Sequence, residues 1–444
     1  MTAPTAIVVG AGIAGLTAAY RLSQRGFEVR VFEAAPAAGG RMTERRAGSI
    51  VYRSGARLIY PFPGELSRLI DELGLRARVC PAPHASLICA DGTDEFGVSL
   101  GISAHLLVAK ALPAVERLRL LRLLPALAYS RFRVDPARLS TAVGLDSGSM
   151  AQYLCTTVGP EFCYRWVEPL FRGARNWSAE EVSPAFLFAT SAHMLGAGPP
   201  LTFSSGIGEL TAELAKRVRV ECRVRVLSIA EAHAACRVHV ESHRGSRETV
   251  NADYVICATE GAHLQRLIEA PAAAARKFFA AVRYNSLGAV HYALRRDVAS
   301  LVKVFSARSG RQVGLFEQIP AAESSSGRPA LYCQASPEAT QGIRLDPEHR
   351  IEPVLLPDLR TLFPGFEEAV EARVEQWIEH MLPVPYPGYA LAVRKFEEFL
   401  EEGTRRLQYC GDYLGQALVT GACASGARAA ERVASTASVL IKHF

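Results

Sequence analysis

"IVVGAGIAGL", residues 7–16, sets Gly10, Gly12 and Gly15 in the spacing G-x-G-x-x-G directly after the apolar run Ala6-Ile7-Val8-Val9. The run reads as a buried strand. From Ile13 the apolar residues Leu16, Ala19, Tyr20 and Leu22 recur every three to four positions, the period of a helix that stops near Gly26. Phe27-Glu28-Val29-Arg30-Val31-Phe32 follows as a second strand and ends in Glu33. Strand, helix and strand make a βαβ unit. Its glycines permit a tight turn, let the backbone approach a pyrophosphate and bring helix and strand close, while the helix N-terminus turns N–H groups and partial positive charge toward phosphate. Glu33 stands near the ~20-residue offset at which a carboxylate accepts hydrogen bonds from a ribose 2′-hydroxyl, and it would repel a 2′-phosphate. The stretch therefore points to a dinucleotide.

Working outward, 444 residues with 49% hydrophobic and 21% charged content can bury more than one core, which predicts two interleaved domains. The formal charge of +6 and a pI near 8.8 give a basic surface. With no Lys/Arg tract, that charge argues no nucleic-acid partner. Ten cysteines without a C-x-x-C pair predict neither a zinc site nor a disulfide framework, so no metal is expected and the thiols are reduced. The first strand begins too early for a leader, and no run of ~18 uncharged apolar residues offers a spanning helix, so a cytoplasmic protein is expected.

Residues 218–256 alternate as strands separated by turns. "LQYCGDYLG" reads as a short strand ending in a Gly-Asp turn, and "VTGACASGARAAERVASTASVLI" as a long helix with a small-residue start. Between these returns to the first domain lie a basic, leucine-rich helical stretch at 104–133, mixed strands and helices at 280–380, and the serine-rich loop "ESSSGRP" at 323–329. The 104–133 stretch suits a packed helical hairpin; the alternative is peripheral contact with a membrane surface.

"GAGIAGLTAAYRLSQRGFEVRVFEAAPAAGGRM", residues 10–42, closely resembles the opening of the flavin amine oxidase superfamily, which includes amine oxidases, protoporphyrinogen oxidases and carotenoid desaturases. "RSGARLIY" at 53–60, "ADYVICAT" at 252–259 and "CGDYLGQALVTGACASGARAA" at 410–430 resemble its later flavin segments. The resemblance implies an α/β fold: a Rossmann-like FAD-binding domain from residues 1–75, 205–270 and 395–444, interleaved with an α+β substrate-binding domain from 76–204 and 271–394. It implies FAD as cofactor. Gly10, Gly12 and Gly15, with Ile13 and Ala14, would meet the pyrophosphate, Glu33 and Ala34 the adenosine ribose, and Gly39, Gly40 and Arg41 the phosphate region. Val226 would meet the adenine, and Gly411 and Asp412 the pyrophosphate and ribityl chain. Val419, Thr420, Gly421 and Ala422 would meet the isoalloxazine, with Gly55, Ala56, Arg57 and Ala258 completing the surface. A helix beginning near Gly421 would favour the reduced flavin, since its N–H groups face developing negative charge. Read without the resemblance, Asp412 is a turn residue.

Four segments, 149–186, 202–218, 282–294 and 376–400, resemble the protoporphyrinogen-oxidase branch, although the closing motif and "PVPYPGY" depart from its usual form. Many amine oxidases carry a lysine in the strand where this chain has Ala289. The expected activity is hydride removal from a bulky conjugated or nitrogen-containing substrate, with oxygen or a quinone reoxidising the flavin. No catalytic side chain is assigned. A flavin amine oxidase or a biosynthetic desaturase is the alternative, and a flavin-binding chaperone the non-enzymatic one. Trp377, Tyr386 and Tyr389 could line a pocket, or merely pack. Arg172 and Arg175 could pair with substrate carboxylates, or form surface ion pairs.

Overall fold

The computed structural model describes residues 3–82, 86–92, 94–99, 109, 111–232, 234–299, 302–321, 324 and 327–442. Residues 104–108 and 110 of the leucine-rich stretch, and 323, 325 and 326 of the serine-rich loop, lie outside them.

The first strand, Thr5–Val9, has both faces covered. Ala6 and Val8 enter one apolar cluster, Ile7 and Val9 another. Tyr254–Cys257 repeats the pattern, with Tyr254 and Ile256 on the first side and Val255 and Cys257 on the second. Such double burial belongs to a parallel sheet between two layers. The sheet has five parallel strands in the order Leu407–Tyr409, Tyr254–Cys257, Thr5–Val9, Glu28–Glu33, Arg219–Cys222, with Val9 opposite both Phe32 and Cys257. Strands from three distant parts of the chain thus meet beside residues 5–9.

Helix Ile13–Ser23 leaves the first strand and packs along the final helix, Val419–Lys442. Their approach depends on two glycines. A Cβ at Gly15 would stand 2.0 Å from the Gly10 carbonyl oxygen, and one at Gly426 would stand 2.1 Å from that of Ala14. Thr17 Oγ1, 3.5 Å from Cys423 Sγ, ties the pair further along. Beyond the helix end, Gly26 at φ 82° turns the chain so that Phe27 N–H donates to Leu22 O and the second strand begins.

A three-stranded antiparallel sheet, Val224–Glu231, Cys236–Ser242 and Arg247–Ala252, extends from the edge, with a bulge between Val226 and Ser228. A seven-stranded sheet runs in the order Val370–Pro383, Tyr284–Leu294, Ala330–Ala335, Val313–Ile319, Val302–Phe305, Ser86–Asp91, Asp94–Ser99. One of its faces is apolar. Val290, Tyr292 and Leu294 pack with Ile343, Leu355 and Leu359 from helices Pro337–Leu345 and Glu352–Leu362.

Residues 114–194 form helices around the buried rings of Phe162, Trp177, Phe186 and Phe188. Helices Ala114–Arg119 and Leu124–Arg133, joined by a 3-10 turn, send Leu120, Leu123, Ala126 and Leu127 into this cluster. Among the described residues no helix is long and apolar enough to cross a membrane.

Candidate active site

The backbone after the first strand is built as a cradle. Gly10 takes φ 103°, a conformation that side chains disfavour, and its N–H donates to Phe32 O at 2.8 Å. Ala258, just past the neighbouring strand, donates to Val9 O at 2.8 Å. Glu33 pins the rim with both carboxylate oxygens, Oε2 accepting from Ala11 N–H and Oε1 from Ala35 N–H, each at 2.8 Å. A carboxylate has about four acceptor sites, so capacity for a ribose hydroxyl remains. Gly39 N–H donates to Ala11 O at 2.8 Å, which folds the Gly39–Gly40 turn over Gly12. Gly12 itself has nothing within 4 Å of where a Cβ would stand. Ile13, Ala14 and Gly15 begin the helix behind it, and their N–H groups have no intrahelical partner. The spacing read from sequence thus resolves into two uses: Gly15 packs, and Gly12 opens onto space.

Arg41 closes the next side. Its Nη1 lies 2.8 Å from Asp412 Oδ2 and donates to Met381 O at 2.6 Å. Asp412 Oδ1 accepts from Tyr284 Oη at 3.1 Å, and Gly261 N–H donates to that hydroxyl at 3.3 Å. Burial first, and the Asp412 charge second, push the Tyr284 phenol well above its ordinary range, so it remains a donor. Gly411 N–H is already engaged with Ser425 Oγ at 2.9 Å, which leaves Asp412 as the reaching residue of that pair. Ala56 N–H donates to Arg41 O at 2.8 Å, and a Cβ at Gly55 would stand 3.0 Å from the same oxygen. Val226 lies in the strand entered through Arg223, whose N–H donates to Ala35 O at 3.0 Å; Ala34 beside it is exposed.

At the far end the closing loop turns tightly into the last helix. A Cβ at Gly421 would stand 2.1 Å from Gln416 O, and Val419, Thr420 and Ala422 form the first helical turn with it. Buried polar atoms stand without partners here: Thr420 Oγ1, both amide atoms of Gln416 and, after the neighbouring strand, Thr259 Oγ1. Buried polar groups are ordinarily satisfied, so this cluster suits a polar ligand. Open space at Gly12 and orphaned polar atoms near Gly421 fit a long molecule with phosphate at one end and a heteroaromatic ring at the other.

Of the polar face of the seven-stranded sheet the sequence offers only Arg57, as a flavin-contacting candidate, and the structure sets it against Glu317 and Tyr332. Arg57 Nη1 lies 2.7 Å from Glu317 Oε2 with its guanidinium 4.8 Å from the Tyr332 ring centroid, and Arg53 approaches Glu317 Oε1 at 3.6 Å. His291 Nε2 lies 2.9 Å from Gln376 Oε1, between the rings of Tyr52 and Tyr332. Burial pushes its pKa down to about 4, so the imidazole is neutral. Ala289 shares the face and is wholly buried between Gln334 and Gln376. A single His or Gln in an otherwise apolar strand gives no period or spacing signal for such a group.

The substrate-side candidates fall in several distinct surroundings. Arg172 and Arg175 are both buried, which corrects the expectation of surface ion pairs. Arg172 is held by Glu338 and lies 3.9 Å from Glu168, whose carboxyl burial pushes up to about 7. Arg175 donates to Tyr60 Oη at 2.6 Å between the rings of Phe171 and Phe186. Trp377 stacks on His349 at 4.7 Å and packs against the helix-covered side of the sheet. Tyr389 is a core residue bonded to Tyr413 O at 2.8 Å, and Tyr386, half-buried, donates to Ala281 O at 3.0 Å. Of the five, Tyr386 and Tyr389 meet, their ring centroids 5.2 Å apart.

A family model described as flavin containing amine oxidoreductase matches residues 13–434. Protoporphyrinogen oxidase 2 of Arabidopsis thaliana is 41% identical over 71 residues, 16% of this chain and only 14% of that protein. Among solved structures, putrescine oxidase bound to putrescine is 16% identical with TM-score 0.74, covering 99% of both chains. Cyclohexylamine oxidase from Brevibacterium oxydans is 17% identical with TM-score 0.73, covering 98% of this chain and 100% of the other. At such identities the structures establish a shared fold.

Proposed function

The chain belongs to the flavin-containing amine oxidoreductase family, whose cofactor is FAD, and on that premise we propose that it oxidises a bulky conjugated or nitrogen-containing substrate at the polar sheet face. The observation that carries the reading is the pairing of an open, glycine-floored cradle with orphaned Gln416 and Thr420 at its other end. FAD, when bound, supplies a two-electron acceptor. Gly10, Gly12 and the first turn at Ile13 and Ala14 would hold its pyrophosphate, and Glu33 its adenosine ribose. Arg41 and Asp412 would hold the phosphate and ribityl region, and the turn at Thr420–Gly421 the ring. The cofactor-binding domain would comprise residues 1–75, 205–270 and 395–444, and the substrate domain 76–204 and 271–394.

The protein's own groups then orient the substrate. Arg57 and Arg53, both partly exposed and held by Glu317, present paired donors, and neutral, buried His291 offers or accepts a hydrogen bond at the same face. Buried Ala289 leaves no lysine at the position many amine oxidases use, which favours a protoporphyrinogen-like dehydrogenation over amine oxidation. Oxygen or a quinone would reoxidise the flavin. A quinone would suit the exposed Val115, Leu118, Leu121, Leu124 and Phe132, interleaved with Arg117, Arg119, Arg122 and Arg131, as a patch for an anionic membrane surface. The cytoplasm is the proposed location.

The test is anaerobic mixing of the oxidised protein with protoporphyrinogen, coproporphyrinogen and a panel of amines while the flavin band is followed. Bleaching by a porphyrinogen is expected. Bleaching by amines alone would move the protein to the amine-oxidase reading, and a band that no candidate substrate bleaches would favour a flavin-binding chaperone.

A further inference from the structure

Beside the Tyr284–Asp412–Arg41 chain three ligand-type side chains converge from two elements. Glu260 precedes helix Gly261–Leu267, His263 lies in its first turn, and His380 comes from strand Val370–Pro383. The i,i+3 spacing of Glu260 and His263 puts both on one side of the turn. Glu260 Oε2 lies 2.9 Å from His380 Nδ1 and 3.5 Å from His263 Nδ1, and the ligand atoms of all three residues lie within 4.8 Å of one another. The imidazoles meet edge to face, with centroids 5.2 Å apart. Metal bonds of ~2.0–2.1 Å in tetrahedral array set ligand atoms ~3.3 Å apart, so these separations bracket what one ion requires.

Supporting contacts fix the trio. His380 packs on the Tyr284 ring at 5.3 Å, and its carbonyl, with that of Met381, accepts from Arg41. Asp412 neutralises the nearby Arg41 charge, so a cation meets one uncompensated carboxylate and two imidazoles. Glu260 and His380 are half-buried while the His263 side chain is 61% exposed, which leaves an entry path and an open coordination position toward solvent. Among the described residues this is a group of three ligand-type side chains gathered within such reach.

We propose that Glu260, His263 and His380 bind one divalent late transition-metal ion of the zinc class, three-coordinate from protein with its remaining position open to water. Two imidazoles and a carboxylate with an open position are a donor set that zinc accepts. The ion would replace the two N–H···O contacts and tie the chain after residue 259 to the end of strand Val370–Pro383.

The experiment is calorimetric titration of the full-length, flavin-loaded, chelator-treated protein with zinc chloride, followed by cobalt(II) as a spectroscopic probe of the same site. Saturable binding at about one ion per chain is expected, with a rise in thermal midpoint on addition of zinc. His263→Ala, His380→Ala and Glu260→Gln should each weaken binding ~10-fold or more, whereas His243→Ala, exposed elsewhere, should not. Flavin content of each variant reports that it has folded. Cobalt in the wild type should give ligand-field bands that the His263→Ala/His380→Ala double variant lacks. Absence of saturable zinc binding, or binding that survives unchanged in the double variant, as it would at the cysteines, overturns the proposal.

Discussion

The cradle around Gly12 and the polar face around His291 are made in opposite ways. The cradle is a backbone object: glycines at positions 10, 15, 421 and 426 decide where chain touches chain, Gly12 leaves its floor clear, and Glu33 and Arg41 pin it from above. The sheet face is a side-chain object, in which residues 53, 57, 291, 317, 332 and 376 meet only because distant strands pair. The first should be intolerant of a single added methyl group where its backbone segments meet, at Gly15, Gly421 and Gly426, and tolerant of one at Gly12, which faces open space. The second should tolerate small changes of shape and respond to charge.

Replacing Gly15 breaks the comparison most severely. Gly15→Val drives a branched side chain against the Gly10 carbonyl, where backbone cannot give way, and should cost upwards of about 4 kcal/mol. Chemical denaturation and soluble yield measure it; a variant with the wild-type midpoint would show that the close approach is not needed.

On the sheet face the expected signature is acid lability. His291 holds its pKa near 4 in the fold against ~6.5 in the unfolded chain, so below pH 6.5 the unfolded state takes up a proton that the folded state refuses. Stability present above pH 6.5 is therefore lost as pH falls toward 4, by up to about 3 kcal/mol. His291→Gln should remove that part of the slope in thermal melts between pH 4 and 7. Glu168 works the other way: pushed up to about 7 by burial, it costs stability as pH rises from ~4.3 toward 7. A His291→Gln melt series with the wild-type acid slope would leave His291 without this role.

Charge removal follows in size. Glu317→Gln leaves Arg57 and Arg53 facing each other without their carboxylate and should destabilise by about 2 kcal/mol. Flavin content should remain unchanged while substrate turnover falls, a split that assays of both properties on one preparation would expose.

These contrasts explain what was readable. The βαβ unit, the closing Gly-Asp turn and the small-residue start of the last helix follow from rules of local spacing, and each stands where those rules put it. Gly12 and Gly15 have the same letter and different work, which only their neighbours distinguish. Arg172 and Arg175 looked like surface charges because charged residues usually are; the aromatic cluster at Phe171, Phe186 and Trp177 that buries Arg175 is assembled from the fold. His291 and Glu317 carried no signal because their partners lie far along the chain.

The smallest effect belongs to the outer surface. Leu118→Ser with Phe132→Ser should change stability by no more than ~0.5 kcal/mol, since both side chains are mostly exposed. Sedimentation with anionic vesicles should nevertheless fall several-fold. Equal sedimentation of variant and wild type would remove the membrane role.

If the cradle holds FAD, the flavin content of wild-type protein beside that of Gly12→Asp shows it. Because no atom lies within 4 Å of the Gly12 Cβ position, the aspartate fits without moving the chain and the melt should stay near wild type. Its carboxylate would occupy the pyrophosphate's place, and like charges so close cost several kcal/mol. About one FAD should be released per wild-type chain on denaturation, and less than ~10% of that from the folded variant. A wild-type protein that stays colourless and takes up no FAD, or a Gly12→Asp protein that keeps its full complement, would contradict it.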